Sequence, residues 1–249
     1  GGNLQPSYTG KYLVFFDERK QKYFVYNSVN GQVYQIAKDI KNALGDEEND
    51  VPDDPNAYGV VKWMEGDKSV LIYDRYDIWQ LDPEGVAPSV CLTSGRKDKT
   101  VIRYVNTDPN ERFITTSQRL LLRLFDEKDK SAGLATLDLS TKTFNIVFKE
   151  KVSLGFAIQK AKTADVLTYT KETFQNSPNV YVHTMGTQAQ QLSNTNPQQA
   201  TYNWGTAELF KWKAYTGKEA EGIVYKPEDF DPKKKYPMIV LHHHPHLPD

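Results

Sequence analysis

The sequence predicts an all-β fold, a partial β-propeller of about four blades. Three observations lead there. The chain keeps returning to one unit: a short apolar strand, a polar turn, an aromatic-rich strand, another turn, then a further strand. Corresponding positions Tyr12, Val70, Phe113 and Val166 are 58, 43 and 53 residues apart, close to the roughly 40–50 residues of a four-stranded blade. Composition agrees, with fifteen Tyr, fifteen Gly, thirteen Pro and 12% aromatic residues, a usage that favours many short strands with frequent turns. A β-sandwich also has short strands. The propeller is preferred because the order of strands recurs, a Tyr/Trp-bearing strand each time preceding a connection that ends in a short strand.

In the first copy, Lys11–Asp17, Lys22–Asn27 and Gln32–Ile36 are the expected strands, with Asn30-Gly31 read as a type I′ hairpin turn. The second runs through Gly59–Met64, Ser69–Asp74, Asp77–Asp82 and Val90–Thr93. The third has Arg112–Thr116, Leu120–Asp126, Ala132–Asp138 and Thr143–Phe148, and the fourth Asp165–Thr170, Asn179–His183 and Gln190–Ser193. The link from Asp39 to Tyr58 stands apart. Ile36, Ile40 and Leu44 at i, i+4 and i+8 predict a short amphipathic helix. Acids at 46, 47, 48, 50, 53 and 54 follow, with Pro52 and Pro55. They lack the alternating ligands, central Gly and closing Glu of a helix–loop–helix calcium site, so the segment reads as a solvated acidic loop. Asp126–Lys130 and Lys171-Glu172 read as solvated hairpin tips, and His183 as a partly exposed sheet residue.

From Tyr202 the text changes. Glu208–Ala214 and Glu219–Lys226 are alternating strands around Tyr-Thr-Gly-Lys, and Pro227 ends the ladder because it lacks a donor. Tyr236–Leu241 is a continuous apolar run of the kind buried on both faces of an α/β sheet. The expected organisation is therefore propeller blades over 1–203 and the first strands of an α/β-hydrolase domain over 204–249. The start, Gly1-Gly2-Asn3, shows neither an initiator Met nor a signal-peptide pattern, and the expectation is a piece of something longer.

The run Asn203-Trp204-Gly205-Thr206-Ala207-Glu208-Leu209, then Gly222-Ile223-Val224-Tyr225-Lys226-Pro227, Phe230-Asp231-Pro232 and Lys234-Lys235-Tyr236-Pro237-Met238-Ile239-Val240 resembles the prolyl oligopeptidase family of serine peptidases, on its dipeptidyl-peptidase-like branch. Ser69–Asp82 also looks like a propeller strand pair of bacterial members. The resemblance implies a serine peptidase acting on short peptides, with a propeller that gates and orients them and no metal or organic cofactor. It also implies seven or eight blades, so further blades and the catalytic domain are expected partners outside this chain. A periplasmic or secreted bacterial location is implied in the same way.

The chemistry within reach is limited. No serine lies in a G-x-S-x-G pentapeptide; Ser94, in Thr93-Ser94-Gly95-Arg96, comes nearest with Gly on one side only. No catalytic residue is therefore assigned. By position after Tyr236-Pro237 the family's oxyanion stabiliser falls on His243, but His244-Pro245-His246 replaces the glycines that let backbone donors approach. His242, His244 and His246 would share one face of a strand and could ligate zinc; a terminal tag-like run is the plainer reading, and no metal is assigned. Glu47 and Glu48 are the candidate substrate-binding residues, as charge-assisted acceptors for the amino end of a peptide.

Other classes are disfavoured. A net charge of −1 offers no basic surface for a nucleic acid, and no apolar run approaches the ~20 residues that span a bilayer. Cys91 is the single cysteine, so no intramolecular disulfide forms. Trp63, Trp79, Trp204 and Trp212 could make a sugar- or peptide-binding platform, though packing between blades is the simpler role. The rival functional reading is a non-catalytic propeller scaffold that binds peptides or proteins.

Overall fold

Short alternating runs separated by Asp, Asn and Gly turns fold as expected into antiparallel meanders. The computed structural model describes residues 4–155 and 157–241. The chain divides into two units, Gly1–Val152 with Ile158–Lys160, and Ser153–Ala157 with Ala161–Asp249. Among the described residues there is no α-helix, only three 3-10 segments.

The first unit holds three four-stranded sheets. The first is β1 (Gln5–Pro6), β2 (Tyr12–Asp17), β3 (Lys22–Asn27) and β4 (Val33–Gln35), paired in that order. The second is β5 (Val60–Trp63), β6 (Val70–Tyr73), β7 (Ile78–Leu81) and β8 (Val90–Cys91), and the third β9 (Thr100–Tyr104), β10 (Arg119–Asp126), β11 (Ala132–Asp138) and β12 (Thr143–Glu150). Each sheet is a simple antiparallel up-and-down meander, consistent with a partial propeller-like arrangement.

Alternation decides the packing. In the first sheet Val14 sits opposite Val25 and Phe16 opposite Tyr23, so their side chains share one face. That face meets Trp63, Val70, Ile72 and Leu81 of the second sheet in one buried cluster, where Trp63 stacks on Tyr12 at 5.9 Å. Leu71 and Ile78 project from the opposite face of the second sheet. They join Ile102, Leu120, Leu122, Leu124, Ala135 and Leu137 of the third. The middle sheet is thus buried on both faces, and each such aliphatic side chain contributes about 1.5–3 kcal/mol.

Several expectations are corrected. The helix over Ile36–Leu44 does not form: Ala37 has a φ of 56°, which no right-handed helix accommodates. Ile36 and Leu44 are buried and Ile40 packs against the same cluster, but on an irregular strap. The turn at Asn30-Gly31 is longer than type I′. Asn27 bonds to the Gln32 carbonyl at 2.9 Å, and of the two residues only Gly31 has positive φ, 72°. The third sheet starts at Thr100, whose alternating run pairs with β10, and not at Arg112–Thr116. That segment is irregular, with Ile114 making an isolated parallel bridge to Met64. The second strands of the four sheets therefore begin at Tyr12, Val70, Arg119 and Val166, spaced by 58, 49 and 47 residues.

The second unit carries a sheet of β13 (Ser153–Leu154), β15 (Val166–Glu172), β16 (Asn179–Thr184) and β17 (Gln190–Gln191), in that order. A further two-residue strand, β14 (Gln159–Lys160), lies between β13 and β15 in sequence. A separate two-stranded hairpin follows, β18 (Thr206–Lys213) and β19 (Glu219–Lys226), in unbroken register from Thr206↔Lys226 to Lys213↔Glu219. Tyr236–Leu241 is not a strand. It is exposed, Ile239 at 89% and Leu241 at 84%, because among the described residues no neighbouring strand or helix layer covers it. His183 is buried, not partly exposed. Its Nε2 donates to the Thr187 carbonyl at 2.9 Å, and its Nδ1 lies 3.1 Å from the Tyr169 hydroxyl. No helix is long and apolar enough to cross a membrane, among the described residues.

Candidate functional site

The richest polar cluster lies at one end of the first unit, around the β6–β7 turn Asp74-Arg75-Tyr76-Asp77. Asp74 has no exposed surface, so its charge must be compensated internally. One oxygen accepts the amides of Tyr76 and Asp77 at 2.8 and 2.7 Å. The other accepts from Asn42 at 2.7 Å and Trp79 Nε1 at 3.1 Å, with Arg96 Nη2 at 3.3 Å. Burial, the largest influence, works against ionisation, yet these hydrogen bonds outweigh it and hold the carboxyl below its ordinary pKa.

Asp77 positions the next segment. It accepts from Thr93 Oγ1 at 2.7 Å, from the Gly95 amide at 2.5 Å and from the Arg96 amide at 3.0 Å. Gly95 is needed there, since a Cβ would come within 2.1 Å of the Thr100 carbonyl oxygen. Arg96 is thereby aimed back over the turn, its guanidinium 5.0 Å from the Tyr76 ring. Arg75 flanks the same ring at 5.3 Å. Arg103 lies 4.6 Å from the Tyr73 ring and 5.9 Å from that of Tyr58. Burial pulls its pKa below the arginine norm.

The candidate residues Glu47 and Glu48 reach this cluster from the irregular strap. Glu48 Oε1 receives Arg75 Nη2 at 2.5 Å, and Glu47 Oε2 is 3.5 Å from Arg96 Nη2. Their exposures differ: the Glu48 side chain is 70% accessible, that of Glu47 33%. Glu48 is thus the more solvent-accessible of the two carboxylates. The Glu47 amide is also tied down, donating to the Tyr58 hydroxyl at 2.8 Å. The other candidate, His243, and the run His242, His244 and His246 lie outside the described residues.

Glu127 completes the cluster and is the residue that sequence reasoning missed. It is no solvated tip: it accepts Arg75 Nε at 3.1 Å, Arg75 Nη2 at 2.9 and 3.0 Å, and the Tyr76 hydroxyl at 2.7 Å. Burial and that last bond push the Tyr76 phenol up to about 12. Burial opposes the Arg75 charge, but Glu127 and Glu48 together hold its pKa above the usual value. Nothing in the spacing of Asp126–Lys130 marks Glu127; an isolated Arg in the turn of an adjacent repeat is the only hint. Two other carboxylates, near the opposite ends of β6 and β10, serve packing. Glu111 gathers Lys62, Tyr104 and Gln118 at 2.8, 2.7 and 2.5 Å, and Asp67 accepts from buried Ser7 at 2.6 Å.

A separate cleft of about 210 Å³ lies between Ala37–Asp39 and Leu81–Ser89. Its carboxylates are engaged locally: Asp82 accepts the Glu84, Val86 and Ala87 amides and Asp39 binds Ser89. The chemistry lies in the arginine–carboxylate cluster. As for the tryptophans, Trp63 is buried in packing, Trp79 serves Asp74, and Trp204 and Trp212 are each 43% exposed in the second unit.

No protein-family model matches the sequence, and no curated protein does. Solved structures do match. The chain is similar to a dipeptidyl aminopeptidase IV candidate from Bacteroides ovatus, with a TM-score of 0.62 and 14% identity over 94% of this chain and 35% of that one. The chain thus spans about a third of the length of that neighbour. At this identity the likeness establishes a dipeptidyl-peptidase-IV-like, propeller-related fold.

Proposed function

We propose that this chain is the propeller-side part of a prolyl-oligopeptidase-like serine peptidase, gating and orienting short peptides for a catalytic domain outside it. In this reading residues 1–203 are blades and 204–249 open an α/β-hydrolase domain. The observation that carries it is the extent of the likeness: 94% of the chain follows one longer chain of dipeptidyl-aminopeptidase type. The exposed apolar surface supports it, because Leu209, Ile223 and Tyr225 on one hairpin face and Met238–Leu241 lie bare. A two-stranded hairpin is marginal by itself, and such a surface is what the remainder of a hydrolase core would cover.

The propeller's contribution is confinement and orientation, with Glu48 and then Glu47 accepting the peptide's amino end. In the peptidase, Glu47→Gln with Glu48→Gln is expected to raise KM about tenfold for free-amine peptides and leave N-acetylated ones unaffected. Equal KM values for the variant and the parent would refute the assignment. Residues 1–249 are expected to show no serine labelling by a fluorophosphonate probe; strong labelling contradicts the proposed location of the nucleophile. A reading frame that continues into G-x-S-x-G followed by Asp and His supports the peptidase, whereas an immediate stop codon supports the scaffold.

A further inference from the structure

The strap between the first two sheets has a fixed base and a charged tip. At the base, the Asp46 amide bonds to the Asn56 carbonyl at 2.8 Å and the Tyr58 amide to the Leu44 carbonyl at 3.1 Å. Gly45 bridges Ala57 there, and Leu44 is buried. The tip, residues 47–55, is different. The Asn49 side chain bonds within it, to the carbonyls of Val51 and Asp53, and its amide reaches back to the Asp46 carbonyl. Beside the base, Gln21 donates to the Pro55 carbonyl at 2.9 Å and Tyr58 holds the Glu47 amide. Beyond those, the tip is tied to the sheets by two ion pairs, Glu48–Arg75 and Glu47–Arg96. Five acids, Glu47, Glu48, Asp50, Asp53 and Asp54, share these nine residues and repel one another.

Each latching guanidinium also has a second carboxylate on the sheet side. Arg75 is hydrogen-bonded by Glu127 through Nε and Nη2, and Arg96 Nη2 is ion-paired with Asp74 at 3.3 Å without a hydrogen bond. We propose that residues 47–55 are a releasable flap, latched by Arg75 and Arg96, with Glu127 and Asp74 as the seats to which the two arginines fall back. Release then leaves neither guanidinium unpaired, so opening does not incur the large penalty of a bare, partly buried charge. The flap hinges where the backbone pairing stops, at Asp46 and Asn56. This device stands whether or not the chain serves a peptidase.

Because Glu48 and Glu127 compete for one guanidinium, their removal has opposite effects on the flap. The test is hydrogen exchange of the backbone amides of residues 49–54 in the full chain, with amides of β2 and β3 as the folded reference. Glu48→Gln is expected to speed exchange about three- to fivefold, and Glu127→Gln to slow it, since Arg75 is then left to Glu48 alone. The swapped pair Glu48→Arg with Arg75→Glu is expected to return exchange towards the parent rate. Acceleration by both Gln variants, or no change from either, overturns the proposal. A merely structural role for the cluster would loosen the flap whichever carboxylate was removed.

Discussion

Asp74→Ala is expected to destabilise the first unit by about 3–5 kcal/mol, the loss typical of breaking one partner out of a buried charged network. The substitution strands the Tyr76 and Asp77 amides and the Asn42 and Trp79 donors together, and leaves the Arg96 guanidinium to Glu47 alone. Asp74→Asn keeps the shape and part of the acceptor capacity, so its loss is smaller, and urea unfolding orders the two. Acid should act through the same group. Its folded pKa is depressed, so its contribution is complete above the unfolded carboxylate value near ~3.9 and is lost as pH falls through the folded value. Asp126, likewise depressed although its burial works the other way, adds to that limb through its bond to Lys149. Asp74→Asn should flatten the fall in stability below pH ~4. An unchanged acid profile would show that other carboxylates carry it.

Asp74 also shows where sequence and structure part company. Strand positions were readable because alternation is local: Tyr12, Val14 and Phe16 declare one face, and Val70–Ile72, apolar throughout, declare a strand covered on both sides. The hairpin ending at Lys226 was readable from Pro227 and the alternation before it. What failed depended on partners distant in sequence. Ile36, Ile40 and Leu44 have helical spacing, yet a left-handed Ala37 and a shared cluster with Trp63 and Leu81 decide the backbone. Tyr236–Leu241 has the composition of a buried strand, but burial requires a neighbour. The acids of the strap were visible as charge, whereas their pairing with Arg75 and Arg96 follows from how consecutive sheets bring their turns to one end. Glu127, 52 residues beyond Arg75, had no local signal.

The second sheet offers the other large effect. Leu71 and Ile72 are adjacent, both fully buried, and belong to different clusters on opposite faces. Each truncation to Ala is expected to cost about 2–5 kcal/mol through lost transfer energy and an unfilled cavity. Because the cavities open against different neighbours, Val70 and Trp63 on one side and Leu122 and Ile102 on the other, the double variant should lose nearly the sum. The two residues are consecutive but their side chains share no cluster, so the coupling is expected to be small beside either single loss. Against a typical total of ~5–15 kcal/mol, that loss would leave the first unit barely folded at room temperature. Thermal melts of the two single variants and the double variant measure the coupling. A double variant no worse than the poorer single would mean that one truncation already disengages the middle sheet from both neighbours. The three sheets would then behave as a single cooperative block instead of two interfaces that share a wall.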